Sequence, residues 1–243
     1  MKRFWDVASV VREGSSFAVR LDGRPMRLPG GPVLTLESEA LAAAIAVEWQ
    51  EAGGGKGGTL RVEDVPLTRL AGTAQERVAR DPRASIEALA KYAESDLLCY
   101  RAERPEALVA RQAQLWQPWL DRAATMYGAS FRVAQGVMPV TQKPESVAAL
   151  RGAVALHPPF VLAGLGILVP AMGSLVLGLA IAEGALDARE AFALAFLDEL
   201  FQAEHWGEDR EALAQRSSVE QDIILAARFI HLSNAGGIGG LGG

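Results

Sequence analysis

The sequence predicts an α+β fold: a small N-terminal α+β domain followed by an all-α helical domain. Three observations predict it. Residues 17–34 alternate apolar and polar side chains around glycine turns, the period of a half-buried sheet. From about Asp81 onward, apolar residues recur at three- and four-residue intervals instead. The chain's 243 residues, half of them hydrophobic and 22% charged, suffice to bury a core in each part.

In the first part, Phe17, Val19 and Leu21 lie on one side of a strand, and Asp22-Gly23 is a tight hairpin signal before Arg24-Pro25-Met26. Gly30-Gly31 makes a second turn. Thr35 is placed to cap a helix with Glu37 and Glu39 in its first turn, where carboxylates suit the helix dipole. Leu41, Ile45 and Trp49 follow i, i+4, i+8 and form one buried stripe, which makes Trp49 a core residue. Gly53-Gly54-Gly55 ends that helix. A short strand around Leu60–Val62 is expected next, then a helix starting near Pro66.

Beyond the boundary, helices are expected at Ser85–Ala93, from Pro105 as first residue, at Glu145–Ala155, from Asp187 to Trp206 and at Val219–Leu232. Leu108, Leu115 and Trp116 mark the inner side of the second, and Pro118 should kink or restart it. Asp187 with Glu190 and Ser217 with Glu220 have capping-box spacing. The uncharged run His157–Ala182 is long enough to span a bilayer, but Pro170 and Gly173-Ser174 divide it. Two short buried helices, Phe160–Leu168 and Ser174–Glu183, explain it better. The domains are therefore 1–82 (α+β), 83–233 (all-α) and 234–243, a Gly-rich tail too poor in side chains to order.

Composition narrows the function. A net charge of −5 argues against binding through nucleic-acid phosphates. The single cysteine, Cys99, fits a reducing compartment and, among apolar neighbours, an inert buried thiol. The beginning of the sequence carries neither an apolar signal region nor an Arg/Ser-rich presequence, so a cytoplasmic location is expected. GGGKGG at 53–58 fails the phosphate-loop pattern, since Lys56 is followed by Gly57 and the run follows a helix. No nucleophile elbow occurs, and His157, His205 and His231 are scattered without metal-binding spacing. No enzyme activity, cofactor or metal is expected.

One carboxylate stands out. On a continuous helix from Asp187, Phe192, Phe196, Glu199, Ala203 and Trp206 share a face, which sets Glu199 in an aromatic stripe. A carboxylate there either meets a cation or hydrogen-bond donors in the core, or lies on an apolar surface kept for a partner. Trp116 and Trp119 flank Pro118 and either close the domain junction or present a partner groove. Asp96, between two apolar stretches, caps a helix, bridges domains or meets a partner.

Several blocks carry a resemblance. Read in order, LDGRPMRLPGG at 21–31, AIAVEWQ at 44–50, DVPLTRLA at 64–71, YAESDLLCYRAERPEALVARQAQLWQPW at 92–119 and LDELFQAEHWG at 197–207 are similar to the ATP12 family; Arg3-Phe4-Trp5 matches its first positions. Members are assembly chaperones for the F1 part of ATP synthase. With the uncharged run as core, a soluble monomer is expected, and the Ala/Arg/Gly-rich composition and lack of a presequence suggest a bacterial member acting in the cytoplasm (eukaryotic relatives act in the mitochondrial matrix). The resemblance implies that it holds the newly made F1 α subunit until the β subunit arrives. It also points to Glu199, Gln202, Glu204, Trp206, Asp96, Trp116 and Trp119 as partner-binding residues. The alternative is a small-molecule enzyme or ligand-binding protein with a pocket between the two domains and Glu199 as acid or base.

Overall fold

A computed structural model describes residues 2–28, 31–136, 138–207 and 209–235, with only the backbone at Trp206. The chain divides into two compact units. One comprises the residues up to Pro82 together with Pro159–Gly164 and the chain from Arg228; the other comprises Arg83–Pro158 and Leu165–Ala227.

The first unit holds a three-stranded antiparallel sheet in the order β1 (Ala8–Glu13), β2 (Ser16–Leu21), β3 (Arg24–Pro25). Asp22 and Gly23 both take positive φ, at 48° and 78°, the backbone of a two-residue hairpin. Helix α1 (Glu39–Glu51) packs on the sheet through Leu41, Ile45 and Trp49, all buried. Its cap is Ser38 and not Thr35: the Ser38 hydroxyl accepts from the Leu41 amide and donates to the Leu232 carbonyl. Thr35 lies outside the helix, its amide held by Gln75. Arg3 fixes the N-terminal segment by donating to the carbonyls of Trp5, Gln50, Ala52 and Asp6. The Trp5 indole donates to the Trp49 carbonyl, and the two rings lie 5.0 Å apart.

The expected strand at Leu60–Val62 is absent. Val62–Asp64 is a 3-10 turn, its start held by the Asp64 carboxylate on the Arg61 amide, a local bond that competes with strand pairing. Helix α2 (Pro66–Thr73) follows and ends in a π turn, Ala74–Val78. Phe160 stacks on Phe229 at 6.1 Å within this unit, so the start of α6 and the end of α10, given below, belong to it.

The second unit is helical apart from a two-stranded parallel pair, β4 (Tyr100–Arg101) with β5 (Ala134–Gln135). Its helices are α3 (Pro82–Ala90), α4 (Glu106–Tyr127), α5 (Pro144–Ala155), α7 (Leu175–Ala182), α8 (Ala188–Ala195) and α9 (Leu197–Trp206), with the remaining parts of α6 (Pro159–Met172) and α10 (Arg210–Asn234). Helix α4 runs through Pro118 without restarting. Proline removes one amide donor, here the one for Gln114; both residues are exposed, so water can satisfy that carbonyl. Pro170 sits within α6 in the same manner, opposite exposed Gly166. The uncharged run is two helices: Gly173 stops α6 in a left-handed turn (φ 64°), and Ser174 caps α7 by accepting from Leu177. Every residue of α7 is buried. Among the described residues, no helix is long and apolar enough to cross a membrane.

Helix α10 starts nine residues before the expected Val219, so Ser217 lies inside it and caps nothing. The tail expected from Asn234 begins with a residue that ends α10, and residues 236–243 lie outside those described.

Candidate functional site

The stretch expected to be one helix from Asp187 to Trp206 is two. Phe196, with φ −104° and ψ 23°, ends α8 and starts α9. Packing supplies the reason. In α8 the buried positions are Ala191, Leu194 and Ala195; continuing the same helix at 100° per residue would turn Asp198 and Gln202 inward. The break resets the rotation, so Leu197 and Phe201 are buried instead and Gln202 is exposed.

The two adjacent carboxylates are placed differently. Asp198 is half-buried and accepts from the Gln112 side-chain amide at 2.7 Å. Glu199 is exposed and, among the described residues, has no ion-pair or hydrogen-bond partner. The core-paired reading of Glu199 is thereby replaced: this carboxylate is in water. Glu204 is also exposed, and Arg111 of α4 meets both its oxygens at 2.9 Å while its guanidinium lies 5.1 Å from the Phe201 ring. Of Trp206 the side chain lies outside the described residues.

Along α4 the contacts advance from Arg111 through Gln112 to Trp116 as their partners retreat from Glu204 and Asp198 on α9 to Leu194 on α8, so α4 runs antiparallel to this pair of helices. Along α4, Arg111, Leu115 and Trp119 follow i, i+4, i+8; all three are at least partly exposed, with Leu115 at 39%. Leu115 was expected on the inner side. The buried stripe is instead Leu108, Gln112, Trp116, Leu120 and Ala123. Trp119, Phe192 and Phe196 are half-buried. These helices thus carry part-exposed apolar side chains, one free carboxylate and a second one held in an ion pair.

Trp116 and Asp96 lie inside instead. Trp116 is 1% exposed, and its indole donates to the Leu194 carbonyl at 2.9 Å. It cannot touch a partner docked on the folded chain, because its faces and its one donor are used internally. Asp96 is fully buried and accepts from the Leu98 amide, the Ser174 hydroxyl and the Val176 amide at 2.8 to 3.2 Å. It caps the 3-10 turn Leu97–Cys99 and satisfies an amide in the first turn of α7. Burial raises its pKa to about 6 against the opposing pull of these donors.

The sequence pattern missed a buried polar group next to Trp116. Arg101 donates to the carbonyls of Leu98 and Gln112 and places its guanidinium 5.3 Å from the Trp116 ring; its Nη2 has no hydrogen-bond partner. Burial makes its protonated form harder to keep. Gln112 links Arg101 to Asp198, since its side-chain oxygen also accepts from the Ala102 amide. A signal for Gln112 was present: it lies four residues after Leu108 and four before Trp116. Cys99 is buried, and desolvation pushes its thiol up to about 12, which makes it a poor nucleophile.

In the first unit, Glu48 of α1 caps α2 from outside. It accepts from the Leu67 and Thr68 amides and from the Thr68 hydroxyl, while Trp49 donates to that hydroxyl at 2.8 Å. Burial raises the Glu48 pKa despite these bonds. Among the described residues, no group of three His, Cys, Asp or Glu side chains could hold a metal ion.

Residues 2–124 match the family model described as ATP12 chaperone protein. The crystal structure of Atp12 from Paracoccus denitrificans superimposes with a TM-score of 0.90 at 45% identity, over 96% of this chain and 98% of that one. A protein of Agrobacterium tumefaciens of known structure gives 0.85 at 40% identity, over 94% of this chain and 84% of that one. Protein atp12, mitochondrial, of Schizosaccharomyces pombe is 22% identical over 223 residues, 87% of this chain and 75% of the relative. The chain belongs to the ATP12 family, as a bacterial member.

Proposed function

We propose that this protein is an assembly chaperone of the F1 ATP synthase that binds the unassembled α subunit and covers the surface α will bury against β. Family membership supports the F1 role. The α-subunit assignment follows from the family resemblance, and the observation that carries the choice of surface is Glu199, exposed on α9 and without an ion-pair or hydrogen-bond partner among the described residues. A subunit awaiting an obligate partner exposes apolar surface that aggregates. An exposed carboxylate without an internal partner can pair with a cation of such a client, while the part-exposed Leu115 and Trp119 of α4 add apolar contact. Gln202 and Glu204 lie exposed on the same helix and complete the polar rim. The chain's part in this is binding; no step calls for nucleotide hydrolysis.

Dilution of unfolded α subunit into buffer with this protein tests the reading. Light scattering should fall as the chaperone approaches an equimolar amount, with no ATP present. Scattering that is unaffected at several-fold excess, or that falls equally for an unrelated aggregating protein, would remove the α-subunit assignment.

A further inference from the structure

Two clefts in the first unit share Trp49 and Arg27 in their walls. One, of about 680 Å³, is lined by Leu28, Leu60, Val65 and Gly72, with Val62 at 61% exposure beside it. The other, of about 340 Å³, runs past Leu21, Pro25 and Met26 to Phe4, which is 53% exposed. Phe4 and Val62 are among the exposed large apolar side chains of the described residues, and each lines one of these two adjoining clefts, taken together below as one groove.

The charges of the lining are one-sided. Arg24, Arg27, Arg69 and Arg77 face Glu76 alone. Among the described residues none of these arginines is in an ion pair, and Arg24, Arg69 and Arg77 are exposed around the apolar walls. On a protein of net charge −5, such a strip is a local reversal of sign. The wall of α2 beside Arg77 is a π turn, a distortion of the helix that recurs at functional sites. Gly72 lets α2 approach closely: a Cβ there would meet the Leu28 side chain at 3.2 Å, so the cleft wall depends on its absence.

We infer that this groove binds a segment of the client polypeptide that carries aspartate or glutamate beside a large apolar side chain. The apolar side chain would lie against Trp49, and the carboxylates would meet Arg69 and Arg77. A chain-like ligand suits two clefts that share Trp49 and Arg27 in their walls, since a small molecule would fill one of them alone. The arginine rim selects an acidic segment over a basic one, because like charges brought together here would lose their hydration without compensation. This rests on the chaperone reading above and names a second contact for the same client.

The test uses the full chain and purified α subunit. Arg69→Glu with Arg77→Glu, both at exposed positions, should weaken α-subunit capture roughly ten-fold or more and leave the melting temperature unchanged. A control with the same change of charge, Lys91→Glu with Arg210→Glu, should capture as the wild type does. A photo-crosslinking residue at Val62 should join to an α-subunit peptide rich in Asp or Glu, whereas one at exposed Val47 should not. If the wild type captures α and the Arg69/Arg77 variant captures it equally, or if the Val62 crosslink falls on a basic segment, the groove inference is overturned and the chaperone reading stands. If the wild type fails to capture α, both fall.

Discussion

Trp49 and Trp116 occupy equivalent places in their helices, each the aromatic member of an i, i+4 stripe with its indole donor used internally. Their surroundings differ. Around Trp116, Arg101 covers the ring and Gln112 joins the neighbouring helix to Asp198, so the site is sealed. Around Trp49, the Thr68 hydroxyl accepts from the indole and itself donates to Glu48, while the ring remains in the walls of two clefts bordered by exposed arginines. A tryptophan in a helical stripe therefore becomes core or the floor of a groove according to what the adjoining elements place over it. The same contrast separates Asp198 from Glu199: adjacent carboxylates, one closed in by an amide and one left in water.

The sealed site should be the more sensitive. Trp116→Ala should cost about 4 kcal/mol of stability, because it leaves a cavity and uncovers the Arg101 guanidinium, and chemical denaturation would measure it. A loss below about 1 kcal/mol would show that the site collapses freely and is not sealed. Trp49→Arg should cost about 3 kcal/mol by removing aromatic packing and burying a charge beside the Thr68 hydroxyl. Unchanged stability with lost client binding would instead make Trp49 purely a groove residue.

Asp96 gives a smaller effect with a definite sign. Its folded-state pKa, about 6, lies above the ordinary carboxylate value of 3.8, so the folded chain holds this proton more tightly than the unfolded chain. The stability gained from that proton is full below the ordinary value and is lost as pH rises through about 6. Asp96→Asn cannot titrate and presents an amide to three donors, which should cost about 2 kcal/mol. The gap between wild type and variant should narrow from pH 4 to pH 7. A gap that widens over this range would mean the carboxylate is held charged by its donors.

Much of the first unit was legible because local chemistry and packing agree there: the Asp22-Gly23 turn, the Leu41/Ile45/Trp49 stripe and Pro66 at the start of α2 each need only neighbouring residues. Ser174 was legible for the same reason. The break at Phe196 was not, since nothing in the local pattern of Ala188–Trp206 forbids a continuous helix; the need to turn Leu197 and Phe201 inward comes from α4. Leu115 misled for a related reason, because the stripe through Gln112 places a polar residue inside and an apolar one outside. Glu199 was singled out for its place in an aromatic stripe, a setting that assumed one continuous helix from Asp187. That it faces water depends on the break, which the residues alone do not reveal.

The most direct test of the chaperone account is α-subunit capture by Glu199→Gln and Glu199→Lys, measured together with their melting temperatures. Because Glu199 is exposed and unpaired, both variants should melt as the wild type does, with Gln weakening capture and Lys nearly abolishing it. Full capture by Glu199→Lys at unchanged melting temperature would contradict the account.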